Sequence, residues 1–329
     1  MTPRVLPLAV GMLALAPLVG AADDEARELL QRVERAVETL NYEGTFVHIV
    51  DGKVDTMYVV HRYEGGVATE RLVSLDGPRR EIIRDQEEVT CIFADEKSVL
   101  VERRKQEGPL RAAIPQDADQ LDQHYQFRVL KPVEKLGRRA AVLAVVPQDD
   151  MRYGYKLWVD RESGMLLKSQ VVDRYGKVLE QLIFVSIELP DSIPAERLKP
   201  SIAAEDFTWH FQRDDSNVPG PSGEASWRAG RLPAGFELKA SNTGLMTGGD
   251  TPTEHLVYSD GVASVSVFID RADGDSVAPE GPSRMGAANA FTTRVGEHMV
   301  TAMGEVPLTT VRMIAESVKQ RQEPATAAR

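Results

Sequence analysis

Apolar and polar residues follow a regular strand pattern between residues 139 and 187, and this pattern predicts four consecutive strands. The first strand, 141–146, is apolar and β-branched, and it ends at a Pro-Gln-Asp-Asp sequence. Residues 153–160 alternate between two faces, and 166–173 form the third strand. A Tyr-Gly-Lys turn leads to the fourth strand at 178–187. Four strands joined by short turns indicate an antiparallel meander.

The last strand of this meander carries apolar side chains on both faces. Leu182 and Phe184 share one face, whereas Ile183 and Val185 lie on the other, because successive side chains of a strand point to opposite sides. One face packs on a core, and the other also needs cover. A half-open antiparallel barrel that curves around helices, a lipid or both meets this requirement.

The chain before the meander predicts one helix and a series of short strands. Apolar residues recur at helical spacing over 23–40, with charged residues between them, as in an amphipathic helix. Glycine-containing breaks then separate successive apolar runs. These runs predict strands at 42–50, 56–63, 67–75, 79–84, 88–93, 98–102 and 125–131. The large domain is thus predicted to hold about ten or eleven strands and one long helix.

A polar, proline-rich stretch at 206–231 predicts a linker to a second, smaller domain at 232–319. The clearest strands of this domain are 254–258 and 263–270, which a Ser-Asp-Gly turn joins. A terminal helix that follows a proline completes the small domain, and the tail at 320–329 is polar. The predicted fold class is therefore α+β and mainly β.

The first 21 residues have the features of a secretory signal peptide. Arg4 precedes an apolar run at 5–19, and small residues lead to a cleavage site after Ala21 or Ala22. The apolar run is shorter than the roughly 20 residues that a membrane span needs. We therefore expect an exported, soluble mature chain.

Charge and cysteine content narrow the function classes. The 50 acidic residues exceed the 39 basic ones, for a net charge of −11, and this balance does not favour nucleic acid as a partner. Cys91 is the only cysteine, so the chain forms no internal disulfide. Because Thr90, Ile92 and Phe93 surround it, we predict a buried structural thiol rather than a reactive one.

The sequence contains no recognisable catalytic or metal-binding motif. The six histidines are scattered, and none has the spacing of a zinc site. A nucleophile elbow, a phosphate-binding glycine loop and a Ser-x-x-Lys pair are also missing. We predict no catalysis, no cofactor and no metal site, although missing motifs do not by themselves exclude an enzyme.

Four stretches of the chain resemble signature stretches of one family. They are LNYEGTF at 40–46, DGPRRE at 76–81, RYGYKLWVD at 152–160 and YSDG at 258–261. Together they make the chain similar to the MucB/RseB proteins, periplasmic regulators of envelope-stress sigma factors of the sigma-E/AlgU type. The likeness covers nearly the whole mature chain in the right order, including the small domain.

This resemblance implies a fold, a location and partners. It implies a lipid-sensing domain at 22–205 that is similar to the lipoprotein carriers LolA and LolB, and a small partner-binding domain. Such proteins bind the periplasmic domain of a MucA/RseA-like anti-sigma factor and shield it from site-1 proteolysis. Lipopolysaccharide or lipoprotein acyl chains are thought to relieve the block. In pseudomonads, loss of this restraint is associated with alginate production.

Strand alternation supplies the candidate lipid contacts, and the small domain is expected to supply the partner contacts. The lipid-facing wall is predicted to include Phe46, Tyr58, Tyr155, Leu157 and Phe184, although alternation does not say which face is concave. The candidate partner contacts are Tyr258, Val267, Phe268, Arg284 and Arg294. We also expect the Pro-rich linker to let the domains change their relative angle, so that lipid binding weakens partner binding.

Two other functions stay open at this point. A periplasmic lipid or lipoprotein carrier would use the same barrel without a regulatory partner. An exported hydrolase would need a clustered nucleophile and base, which the sequence does not reveal. The oligomeric state is also open, and a homo-oligomer is one possibility.

Overall fold

The computed structural model of the protein describes residues 19–103, 108–115, 123–212, 225–245, 252–272 and 279–321. Residues 1–18 of the predicted signal peptide and the tail from residue 322 lie outside these ranges. Among the helices of the described ranges, none has the length and apolar character needed to cross a membrane.

Within the described residues, twelve strands form one large sheet that does not close on itself. The strands are β1 (Tyr42–Val50), β2 (Lys53–Glu64), β3 (Val67–Ser74), β4 (Arg80–Arg84), β5 (Glu88–Phe93), β6 (Ser98–Arg103), β7 (Tyr125–Lys135), β8 (Arg138–Pro147), β9 (Gly154–Asp160), β10 (Leu166–Val172), β11 (Val178–Glu188) and β12 (Thr208–Gln212). Their order is β12-β6-β5-β4-β3-β2-β1-β11-β10-β9-β8-β7. This arrangement confirms the predicted half-open antiparallel barrel.

Helix α1 (Val19–Thr39) covers the inner face of this sheet. The side chains that it buries lie on one apolar stripe: Ala26, Leu29, Leu30, Val33 and Val37. The stripe packs with the inward residues of the strands in one core, whereas the charged residues of the helix stay outside that core. The amphipathic helix predicted at 23–40 is therefore confirmed, and it fills the concavity of the barrel.

Two small helices lie beside the large sheet. Helix α2 (Pro109–Ala112) contacts α1, and a short 3₁₀ helix (Ala195–Leu198) covers part of the outer face. There, Leu198 packs on Val60 of β2. Most of the cover of the inner face comes from α1, and the outer face has only local cover.

The described residues of the segment that was predicted to be a linker, 206–212 and 225–231, include two strands. Strand β12 pairs in parallel with β6 and so extends the large sheet. Strand β13 (Trp227–Ala229) pairs with β20 (Val318–Gln320), after the terminal helix. Strand β12 does alternate, with Trp209 and Phe211 between polar residues, but it has only five residues, and β13 has three. Runs this short do not stand out as a local pattern, and each strand pairs with one that is distant in the sequence.

The small domain is a six-stranded antiparallel sheet in the described residues, with one helix against it. Its elements are β14 (Glu237–Leu245), β15 (Pro252–Ser259), β16 (Ser264–Arg271), β17 (Gly281–Met285), β18 (Ala288–Val295), β19 (His298–Gly304) and α3 (Leu308–Ser317). The predicted strands at 254–258 and 263–270 are confirmed as β15 and β16. Strands β14 and β17 were missed, because they are mostly exposed edge strands without strong alternation.

Candidate functional site

Arg152 lies at the junction of the two domains, and its side chain has no solvent exposure. Its Nε and Nη2 atoms donate to the two oxygens of Asp149 at 3.1 and 3.0 Å. Its Nη1 atom donates to Asp260 of the small domain. A second small-domain acceptor, the carbonyl oxygen of Ala234, lies 2.7 Å from Nη2. One guanidinium group therefore joins both domains through hydrogen bonds and ion pairs.

The turn between β15 and β16 orients Asp260 toward the large domain. Its Oδ1 atom accepts the backbone N–H groups of Val262 and Ala263 at 2.9 and 2.7 Å. Because the turn holds this oxygen, Oδ2 faces the junction. There it accepts from Arg152 and, at 3.2 Å, from the hydroxyl of Tyr125. The YSDG stretch thus forms a hairpin turn and also supplies the carboxylate of the junction.

Aromatic rings from both domains flank the buried guanidinium. The Cζ atom of Arg152 lies 5.5 Å from the ring centre of Tyr125 and 5.3 Å from that of Phe236. Burial, followed by the negative charge of Asp260, raises the pKa of the Tyr125 hydroxyl, which therefore stays protonated and donates. A cation withdrawn from water is tolerated only when it is paired in this way.

The residues on either side of Arg152 also contact the small domain. The hydroxyl of Tyr153 accepts from the side-chain amide of Asn289 at 3.0 Å, and the same amide donates to the carbonyl oxygen of Val306 at 2.7 Å. The hydroxyl of Thr310 in α3 donates to the carbonyl oxygen of Met151 at 2.7 Å. Three consecutive residues, 151–153, therefore anchor the small domain.

A second contact joins two hairpin turns. Asp51, between β1 and β2, accepts from the guanidinium of Arg284 at 3.3 Å and from the backbone N–H of Gly286 at 2.7 Å. Next to this turn, Ala287 is 1% exposed and packs in the apolar core of the large domain. The small domain is thus held at two separate places on the large one.

A cleft of about 900 Å³ opens between the domains beside Arg152. Its lining includes Met151, Tyr153, Arg174, Tyr175, Arg284 and Leu308. Arg174 forms an ion pair with Asp150, and its Cζ atom lies 4.7 Å from the ring centre of Tyr175. The cleft combines apolar and aromatic side chains with two partly exposed guanidinium groups, so it can hold an extended segment that carries apolar and acidic residues.

Four of the five predicted lipid-wall residues lie together on the inner face. Phe46, Tyr155, Leu157 and Phe184 belong to the buried core that also includes the apolar stripe of α1. The rings of Phe46 and Phe184 meet edge to face at 5.8 Å. The structure therefore places these four side chains against α1.

Tyr58 does not belong with these four residues, contrary to the prediction. It lies on the outer face, where it packs near Val60, and its hydroxyl donates to Glu43 at 2.8 Å. The neighbouring residues Met57 and Val59 point to the inner core. Successive side chains of β2 point to opposite faces, so Tyr58 points away from the lipid wall. Alternation defines the two faces of a strand but does not say which one is concave.

The five predicted partner contacts are spread over different environments. Tyr258 and Val267 are only 3% and 0% exposed in the core of the small domain, so their side chains do not reach a surface for a partner. Phe268 is half-buried, and its ring stacks on that of His255 with 4.4 Å between the ring centres. Arg284 lines the cleft. Arg294 does not, and its Nε atom lies 3.9 Å from Oε1 of Glu280. Only Arg284 lies beside the junction.

Arg152 and Asp260 lie in two of the signature stretches, but neither was predicted to be a site residue. The signals that could have found them are a charged residue at the start of a buried strand and an Asp-Gly turn with a carboxylate. Neither signal reveals the pairing partner, because 108 positions separate the two residues. The same limit applies to Asp149, whose partner is close in sequence but whose role depends on the other domain.

The described residues provide little for metal or thiol chemistry. Among them, no group of three or more His, Cys, Asp or Glu side chains is placed to hold a metal ion. Cys91 is half-buried, and burial is the main cause that raises the pKa of its thiol. A protonated thiol of this kind is a poor nucleophile and metal ligand.

Two family models match the chain in succession. The model described as the MucB/RseB N-terminal domain matches residues 25–202. The model described as the MucB/RseB C-terminal domain matches residues 221–319. The two stretches that form the Arg152–Asp260 contact thus fall in different matched domains.

Relatives and solved structures are similar over almost the full length. The Sigma factor AlgU regulatory protein MucB of Pseudomonas aeruginosa is 33% identical over 95% of this chain and 96% of its own. The Sigma-E factor regulatory protein RseB of Haemophilus influenzae is 27% identical over 94% and 96%. A solved complex of Pseudomonas aeruginosa MucA/MucB covers 91% of this chain and 100% of its own, with 29% identity and a TM-score of 0.71. The chain therefore belongs to the MucB/RseB family.

Proposed function

We propose that the protein is a periplasmic negative regulator of an envelope-stress sigma factor, which acts by binding the periplasmic part of a membrane anti-sigma factor. The observation that carries this proposal is similarity across both domains to a MucB chain that was solved in complex with MucA. The predicted signal peptide supports a periplasmic location. The cleft between the two domains, which side chains of both domains line, also supports a binding role.

We place the contact with the anti-sigma segment in the cleft beside Arg152. Arg174 and Arg284 are 49% and 44% exposed there, and their present ion pairs are weak because water screens exposed charges. Either guanidinium can therefore exchange its carboxylate for one of the partner. When Arg284 does so, Asp51 still accepts from the backbone N–H of Gly286, so the second domain contact is kept. Met151 and Leu308 supply the apolar contacts.

Protection from site-1 proteolysis follows from this location. A protease must bind its substrate in an extended conformation and reach its backbone from several sides. A segment held between two domains is withheld from that approach. The regulator would thus keep the anti-sigma factor intact, and the sigma factor inactive, for as long as the cleft is occupied.

A lipid signal would act through the inner face of the large domain. Phe46, Tyr155, Leu157 and Phe184 lie under α1, so an acyl chain that binds to this wall must displace part of the helix. Tyr155 lies two residues after Tyr153, which contacts the small domain. Movement at the wall can therefore reach the junction, and lipopolysaccharide or a lipoprotein acyl chain would weaken partner binding in this way.

The experiment is a calorimetric titration of the mature protein with the purified periplasmic segment of the anti-sigma factor encoded by the same organism. Arg284→Glu should weaken binding at least tenfold, because it places a like charge beside an acidic segment. Arg271→Glu, on an exposed arginine away from the cleft, is the matched control. Equal affinity of the Arg284→Glu variant and the wild type would remove the cleft from the proposal.

Two further arms test protection and release. Site-1 protease should cleave the free segment rapidly and the complexed segment slowly. Added lipopolysaccharide should lower the affinity and restore cleavage. If the protein binds no segment in either condition but transfers a labelled lipid to acceptor vesicles, it is a lipid or lipoprotein carrier instead.

A further inference from the structure

The outer face of the large sheet carries a row of side chains that crosses five strands. Paired positions place Leu130, Val142, Trp158, Lys168 and Ile183 directly opposite one another, from β7 to β11. Directly paired residues of an antiparallel sheet share a face. The residue next to Trp158 along β9, Leu157, points into the core, so the row faces outward. It spans about 19 Å across the strands.

A second row runs beside the first and is polar and basic. Arg128, Ala144, Lys156 and Gln170 are paired in the same manner, and Gln170 is opposite Gln181. Neither row contains a carboxylate, although the chain holds 50 acidic residues. This face is therefore a basic exception on an acidic protein.

The lysines of this face form no ion pair with the residues that the structure describes. Lys156 and Lys168 have no acidic partner there, and the Nζ atom of Lys168 lies 4.4 Å from the ring centre of Trp158. The neighbouring acid on β9, Asp160, is already bound to Arg138 at 3.1 Å. Desolvation, and then repulsion from Lys135 and Lys156, lowers the pKa of Lys168. An external anion would relieve that repulsion.

The apolar side chains of the same rows complete the pattern. Leu130 is 42% exposed on the edge strand β7, and Trp158 and Ile183 are half-buried. Tryptophan is enriched where lipid meets water, lysine is attracted to anionic headgroups, and aliphatic side chains enter the acyl boundary. All three types occur here on one broad sheet surface.

We propose that this outer face, centred on Trp158, Lys156 and Lys168, docks the protein onto the surface of an anionic phospholipid bilayer. A broad sheet face suits a headgroup layer better than an extended acidic peptide, which would need a groove or a free sheet edge. The net charge of −11 repels such a bilayer, so the protein must approach it with a face that is locally basic, as this one is. The inner wall and the cleft are not involved, and the proposal is independent of the proposed partner binding.

The test is flotation of the mature protein with two kinds of vesicle, phosphatidylcholine alone and phosphatidylcholine mixed with phosphatidylglycerol. The variant Lys156→Glu/Lys168→Glu reverses two charges of the face. The variant Lys199→Glu/Lys319→Glu changes the net charge equally at exposed lysines elsewhere and is the matched control. Circular dichroism and the urea midpoint check folding, and Lys156→Gln/Lys168→Gln replaces the first variant if it does not fold.

We expect the wild type and the control to float only with vesicles that contain phosphatidylglycerol, and added salt to weaken this binding. The face variant should bind at least about tenfold more weakly. Inorganic phosphate at equal ionic strength should not compete, which separates a bilayer surface from free phosphate. The proposal is overturned if the wild type does not float with anionic vesicles, or if both variants lose binding equally. It is also overturned if the face variant loses only its affinity for the acidic anti-sigma segment.

Discussion

Arg152 of the large domain and Asp260 of the small domain form an ion pair in which both side chains are withdrawn from water, with exposed fractions of 0% and 1%. The pair is part of a network that includes Asp149 and the hydroxyl of Tyr125. A buried network of this kind is sensitive to the loss of a single member, because the remaining charge stays buried.

Replacing Asp260 by Asn should therefore destabilise the association of the domains. The amide keeps the size of the side chain but removes the negative charge opposite Arg152, and we expect a loss of about 3 kcal/mol. Urea unfolding of the mature protein measures this change. Glu297→Gln is the control, because Glu297 lies 3.9 Å from Arg271 in an exposed pair and should contribute less than about 1 kcal/mol. Equal midpoints for the two variants would mean that the junction does not depend on this charge.

We expect Gly286 not to tolerate a side chain, because Val50 of the large domain lies directly against it. Its φ is +63°, and an added Cβ would lie 2.3 Å from a methyl group of Val50 in the large domain. Gly296 has the same φ of +63° but nothing within 4 Å of the added Cβ. Alanine at either position incurs the backbone penalty, which is about 1 kcal/mol. Only Gly286→Ala also strains the domain contact, so its urea midpoint should fall further than that of Gly296→Ala.

The wall under α1 should be a major source of stability for the large domain. Phe184 is 0% exposed, whereas Val185, its neighbour on the other face of β11, is 51% exposed. Phe184→Ala should cost about 3–5 kcal/mol because it leaves a cavity against α1. Val185→Ala should stay within about 0.5 kcal/mol. Chemical unfolding of both variants tests this, and a small effect at Phe184 would indicate that α1 packs loosely on the wall.

Glu305 should make the stability of the protein depend on pH. It lies on the turn between β19 and α3 and keeps part of its side chain exposed. Burial of the rest and repulsion from Glu180 raise its pKa from 4.5 to about 7, although His48 partly opposes this. The folded state binds the proton of Glu305 more tightly than the unfolded state does. The stabilisation that Glu305 contributes is therefore complete at pH values below its pKa in the unfolded chain. It is lost as the pH rises through about 7.

Glu305→Gln should remove this pH dependence. Unfolding midpoints measured on both sides of neutrality should converge in the variant and differ in the wild type. Glu297→Gln, on an exposed glutamate, should leave the wild-type dependence in place. A wild-type midpoint that does not fall from slightly acidic to slightly alkaline pH would contradict the assignment.

The sequence predicted the elements that carry strong periodicity and missed those that depend on distant partners. Helix α1 and the meander have apolar positions at the period of their own structure, so a local pattern was sufficient. Strand β12 is stabilised by parallel pairing with β6, about a hundred positions earlier in the chain, and no local window contains that information. Tyr58 was misplaced because alternation defines two faces without saying which one is concave.

The sequence by itself determined the fold class, the amphipathic helix and the likeness to a family, since each depends on the order of residue types along short stretches. Only the tertiary structure decided that Arg152 meets Asp260, that Gly286 meets Val50, and that Trp158 shares an outer row with Lys168. These contacts join residues that are far apart in sequence or on neighbouring strands. They arise from packing in three dimensions, where register and domain docking select one set of neighbours among many that the local sequence allows.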